Sequence, residues 1–155
     1  MIDTPMDEQA LNSIFIEKTY DEAMALVQCS ATYLEGEGAR LQGELGKELG
    51  VVFTAESLRV TTRLMQVVAW LMVRRAVLAG EITADEALDS KHRLGARDIC
   101  MAQPLEGAGY LPQIFLDLEG ESRTLYERIA RLEEGESAEK TDNPVHSLLN
   151  RLSGI

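Results

Sequence analysis

The stretch Thr54–Gly80, TAESLRVTTRLMQVVAWLMVRRAVLAG, decides the fold. Thr54 suits a helix cap, Glu56 sits well at the positive end of a helix dipole, and Gly80 is a natural stop. Between them apolar residues recur at helical spacing. At ~100° per residue, Leu58, Val60, Leu64, Met65, Val67, Val68, Leu71 and Met72 spread over roughly 180° of the wheel. A surface helix needs a stripe of only ~100°. This helix is therefore expected at the centre of a bundle, touching both neighbours and leaving room for a second subunit.

Charge on the same helix is unevenly placed. Arg75 falls inside the apolar arc, where an unpaired guanidinium is very costly. It is expected either to meet Asp21, Glu22 or Asp117, or to reach past the helix end to water. The opposite face carries Arg59, Arg63, Gln66, Trp70 and Arg74. From Leu58 to Arg75 there are four arginines and no acid, in a chain of net charge −11. Tryptophan and arginine are enriched at binding hot spots, so this face is a candidate surface for an acidic partner or the other subunit. The competing reading is that acids of the neighbouring helices pair with the arginines and cover Trp70.

Outward from this helix the pattern stays helical. Leu11, Ile14 and Phe15, then Ala23, Leu26, Val27, Ser30, Tyr33 and Leu34, mark a first long helix starting near Asp7. Gly36, Gly38, Gly43 and Gly46 predict that it weakens or breaks between Gly36 and Gly50, each glycine costing ~1 kcal/mol relative to alanine. Thr83-x-x-Glu86 is a capping box opening a short helix that ends at Gly95, and 96–110 reads as a loop. Leu111-Pro112 opens a third long helix, with Leu111, Leu118, Leu125 and Leu132 a heptad apart. The polar run Glu133–Asp142 reads as a solvated linker, and Asn143-Pro144 opens a short amphipathic tail with Val145, Leu148, Leu149 and Leu152 on one side. That tail either packs on its own bundle or docks into a partner's groove. The expected fold is all-α: a helical bundle domain over 7–134, made of three helices with an additional short one, and a linker with a flexible C-terminal tail over 135–155.

Totals narrow the function. With 155 residues there is length for one domain with a core, and only 5 % aromatics means that core is aliphatic. Strong acidity opposes binding to nucleic acid or an anionic membrane. No segment reaches the ~20 apolar residues of a membrane span, and the first residues lack a secretory h-region, so a cytoplasmic location is expected. Cys29, among Val27, Ala31 and Leu34, reads as a small buried apolar residue, and neither it nor Cys100 has metal-ligand spacing. Nucleophile elbows, phosphate loops and histidine metal motifs are missing, so neither cofactor, metal nor catalytic residue is expected. His92-Arg93-Leu94-Gly95 is faintly similar to the motif of histidine phosphotransfer bundles, but His92 falls at the end of a short helix. Phosphotransfer through His92 and an orphan helical scaffold are the alternatives to a binding module.

Three stretches carry a resemblance. They are Phe15 with Tyr20-Asp-Glu-Ala-Met24, then Glu56–Leu71 with Arg75-Ala76 and Gly80-Glu81-Ile82, and finally Leu111-Pro112 leading to Ser122, Leu125-Tyr126, Arg128 and Arg131-Leu132. Over roughly Ile14–Glu134 the chain resembles the alphaproteobacterial RcdA-like family, the regulators of CtrA degradation. The second-helix motif is the specific part. The resemblance implies a three-helix-bundle homodimer without cofactor or chemistry. It implies an adaptor that brings a cell-cycle regulator and other cargo to the ClpXP protease, contacting its unfoldase and an accessory response-regulator-like protein.

Overall fold

The computed structural model describes residues 4–142. The tail residues Val145, Leu148, Leu149 and Leu152 lie outside the described residues. Within them the chain is all-α: α1 (Thr4–Glu35), α2 (Glu37–Glu44), α3 (Lys47–Leu78), α4 (Ala84–Ala87), α5 (Arg97–Cys100) and α6 (Gln113–Asp142), with one-turn 3-10 helices at Ser90–His92 and Ala108–Tyr110. The long helices α1, α3 and α6 pack against one another as a three-helix bundle, with α3 making the broadest contact to both others. Its core is the expected aliphatic one: Val60, Leu64, Val67 and Leu71 meet Ile16 and Ala23 of α1 and Leu118, Leu125 and Ile129 of α6. An aromatic cluster closes one end, where Phe53 meets Phe115 edge-on at 5.1 Å and Tyr33 lies 6.2 Å from the same ring.

The glycine-rich region breaks as its composition predicts, and at defined places. α1 ends at Glu35, α2 makes two turns, and α3 begins at Lys47 rather than at Thr54. Thr54 is not a cap: its hydroxyl donates inside the helix to Gly50 O at 2.9 Å. Two turns of α3 thus precede the point where the sequence signal looks strongest. The capping box is present, with Glu86 N donating to Thr83 Oγ1 at 3.1 Å and Thr83 N to Glu86 Oε2 at 2.8 Å. Gly80, at φ +75, takes the left-handed turn that releases the chain from α3. The run 135–142, read as a solvated linker, is helical and forms the last two turns of α6. Its charge is compatible with a helix because helix propensity of Glu, Ala and Lys is high.

Candidate functional site

The arginine–tryptophan face of α3 is turned inward. Residues 94–105 form a strap that crosses α3 beside α6; Arg59, Arg63 and Gln66 bond to its backbone, while Trp70 and Arg74 bond to acids of α6. Arg63 is 0 % exposed and Trp70 2 %. The Arg63 guanidinium donates from Nε to Cys100 O at 2.9 Å, and from Nη1 to Ser122 Oγ and to Glu119 Oε1, both at 3.2 Å. Burial is the first cause that lowers its pKa, with Arg123 nearby adding to it. Gln66 Oε1 accepts from Gly95 N at 2.9 Å, and a Cβ at residue 95 would stand 3.0 Å from that oxygen. A side chain at 95 would press on that amide and move Gln66.

Further along, Glu133 of α6 is 4 % exposed and gathers several donors. Trp70 Nε1 donates to its Oε2 at 3.0 Å and Leu94 N to the same atom at 2.7 Å, while Arg97 Nη2 reaches Oε1 at 3.2 Å. Arg74 stacks 4.1 Å from the Trp70 ring and pairs with Glu136 at 2.6 Å. At the other end Arg59 pairs with Glu56 at 2.9 Å and donates to Gln103 O at 3.2 Å, and Glu56 Oε1 accepts from Leu105 N at 3.0 Å. Tyr126 OH adds a bond to Gly95 O at 2.8 Å. The expectation of an open docking face at Arg59, Arg63, Gln66, Trp70 and Arg74 is therefore corrected. Acids of α6, Glu56 of α3 and backbone carbonyls of the strap take up most of these donors, Arg59 Nε and Arg63 Nη2 excepted, and Trp70 is almost wholly buried. Sequence reasoning missed Glu56, Glu119 and Glu133 as the inward acids, because each looks like an ordinary solvated carboxylate in a chain with 26 acids.

Two other expectations change. Arg75 is not buried against Asp21, Glu22 or Asp117. Its Nε donates to Glu17 Oε1 at 2.9 Å, and the guanidinium lies 4.3 Å from the Tyr20 ring with 41 % of the side chain exposed. Glu22 instead pairs with Arg128, and Asp117 accepts from Gln113. Cys29 is exposed and Cys100 buried. Cys29 lines a groove of about 600 Å³ between α1 and α6, floored by Thr32, Tyr33, Gly36 and Leu118. His92 stands in a one-turn 3-10 helix, not midway along a long helix as a phosphotransfer histidine requires. Among the described residues no cluster of His, Cys, Asp or Glu is placed to hold a metal, and no helix is long and apolar enough to cross a membrane.

One edge of the apolar arc of α3 faces out, while Val60, Leu64, Val67 and Leu71 of the same arc lie in the core. Val51, Leu58, Met65 and Met72, each a heptad from the next, are 63, 64, 66 and 55 % exposed. Thr54, Thr61 and Ala69 lie exposed between them. Over this segment the charged residues Glu56, Arg59 and Arg63 all point inward, so the usual division of polar outside and apolar inside is inverted on one side.

Residues 7–155 match the model of a family described as "Protein of unknown function (DUF1465)". No curated protein matches the chain. Among solved structures, RcdA from Caulobacter crescentus CB15 is similar at 35 % identity with a TM-score of 0.61, over 76 % of this chain and 87 % of that one. The chain belongs to the DUF1465 family, and with RcdA to the RcdA-like proteins.

Proposed function

We propose that the chain is a non-enzymatic adaptor that delivers regulatory proteins, such as a cell-cycle response regulator, to the ClpXP protease in the cytoplasm. The observation that carries this reading is the kinship with RcdA over most of both chains. The residue chemistry supports it: the buried arginines and Glu133 are consumed in fastening the strap, while the largest apolar side chains left exposed on α3 form a continuous surface. In this reading no cofactor takes part, the chain acts as a homodimer, and its partners are the unfoldase, an accessory response-regulator-like protein and the cargo. The arginine–tryptophan residues serve these partners indirectly, by fixing the shape of the strap. The tail motif Val145, Leu148, Leu149 and Leu152 is a second proposed contact. Nucleic acid and membrane are not partners in it.

The test is a pull-down in which the immobilised chain is offered purified unfoldase, accessory protein and regulatory cargo in turn. Stoichiometric recovery of the unfoldase or the accessory protein, with the chain unmodified, is the expected result. Recovery of none of the three removes the adaptor reading. Transfer of phosphate to His92 from a phosphorylated response regulator would replace it by the phosphotransfer alternative.

A further inference from the structure

One end of the line between α1 and α6 is apolar and uncovered. The two helices run antiparallel, with Tyr33 near Phe115 at the upper end and Glu22 paired to Arg128 at 2.9 Å further down. From Glu22 up to Glu37 the line opens into hollows of about 660 and 600 Å³. Below the ion pair, Leu11 and Ile14 are 67 and 63 % exposed, and Phe15 and Leu132 are exposed as well. Leu11 lies about five turns from Cys29, hence on the side of α1 that walls the hollows. Gly135 follows Arg128 by a heptad, hence on the matching side of α6, and counting from the ion pair sets it level with Phe15. Glycine is a poor helix former in such an interior position, and an added Cβ there would meet nothing.

We propose that the chain's own segment Pro144–Leu152 folds back as a short helix onto this patch, antiparallel to α6. Val145, Leu148, Leu149 and Leu152 then lie against Leu11, Ile14, Phe15 and Leu132, and the bare backbone of Gly135 lets the segment come close.

Position, turn chemistry, length and charge select this occupant. By the same count Asp142 stands level with the first two turns of α1, so the chain leaves α6 beside the patch. A residue before proline is driven from the helical region, which ends α6 at Asn143-Pro144. Asn is also a good helix cap and Pro a good first residue, so the same pair opens a new helix after the short link an antiparallel helix pair needs. As a helix, Pro144–Leu152 is about 14 Å long, enough to pass Leu11, Ile14 and Phe15 and too short to reach Cys29. Asn143–Ile155 holds Arg151 and His146 and no acid, in a chain with 26 acids, and docking brings Arg151 near the level of Glu17 and Asp21. A helix this short is marginal alone and needs a face to pack on. Tethering supplies it at an effective concentration of about millimolar, an advantage that a free partner lacks.

One apolar stripe cannot cover two surfaces. In the proposed function the same four residues touch a partner, so docking withholds them until the segment is released. Only this consequence rests on that reading.

The experiment uses the purified full chain. Hydrogen exchange at the amides of 148–152 should be slower than in an unstructured peptide by about tenfold or more. Leu11→Glu combined with Ile14→Glu should restore fast exchange there; both positions are exposed, so circular dichroism should show the bundle retained. Fast exchange in the wild type, or slow exchange that survives both substitutions, overturns the proposal. Contact is read by oxidising Ile14→Cys with Leu149→Cys in a Cys29→Ser background. A disulfide should form within one chain, faster than for Gln9→Cys with Leu149→Cys, since residue 9 lies on the far side of α1 from Leu11. Equal rates, or a product of twice the chain mass, overturn docking on the chain's own patch. Exchange and cross-linking need no partner, so a chain that passes both yet binds no unfoldase upholds the docking while removing the adaptor reading.

Discussion

Trp70 and Glu133 are joined across the α3–α6 interface by a 3.0 Å hydrogen bond from the indole nitrogen to a carboxylate that is itself almost wholly buried. The same oxygen accepts Leu94 N, so one acid of α6 ties the tryptophan of α3 to the strap. Removing it strands two buried donors at once. An unmatched buried donor costs ~1–3 kcal/mol, so Glu133→Ala should lower unfolding free energy by about 3 kcal/mol. Urea denaturation measures this; a loss below about 1 kcal/mol would show that the strap is not held through Glu133.

Arg63 is the deeper of the two anchors. Arg63→Met leaves Cys100 O without its donor and leaves Glu119 with only Arg123, 2.8 Å away. Breaking a buried ion pair by deleting one partner typically costs ~3–5 kcal/mol. The expected result is a strongly destabilised chain by urea titration, and an unchanged midpoint is the contrary one.

Arg75 makes the opposite prediction. Its partner Glu17 is half-exposed, and its own guanidinium reaches water over Tyr20. Exposed pairs contribute little. Arg75→Met should leave the urea midpoint where it is, and a clear fall would mean that Arg75 bears on the core.

The two cysteines should separate cleanly by accessibility. Cys29 opens to the α1–α6 groove, whereas Cys100 faces inward from the strap and burial raises its thiol above its usual pKa. A thiol reagent should modify one cysteine per folded chain at once and the second only in denaturant. Mass spectrometry of the labelled peptide should find Cys29, and early labelling at Cys100 would show an open strap.

Alkaline pH probes the same region. Burial pushes the Tyr126 phenol from 10.0 up to about 12. Above pH 10 the unfolded chain releases this proton while the folded chain keeps it, so stability falls as pH rises from 10 towards 12. The Tyr126→Phe variant should show a shallower decline of its urea midpoint over that window. An identical slope in both would show that Tyr126 titrates normally.

Much of the fold was legible because its signals are local. The wide apolar arc of α3, the heptad leucines of α6 and the Thr83–Glu86 box each report helix identity without tertiary knowledge. The orientation of α3 was not. A 180° arc and an arginine face do not say which side the bundle takes, and the usual inference buries the apolar side whole. Here the bundle takes Val60, Leu64, Val67 and Leu71, while the strap and α6 draw Arg63 and Trp70 inward and leave Leu58, Met65 and Met72 outside. Pairing between residues as distant as Trp70 and Glu133 leaves no mark on local periodicity. Cys29 misled for a similar reason: its neighbours are apolar, but it falls where α1 and α6 stand apart.

The adaptor reading is tested most directly by reconstituted proteolysis. ClpXP, the accessory protein and a response-regulator cargo are combined with and without the purified chain, and cargo loss is followed over time. The account predicts that the chain speeds cargo degradation while persisting at its starting amount and carrying no phosphate. Cargo loss at the same rate with and without the chain would contradict it.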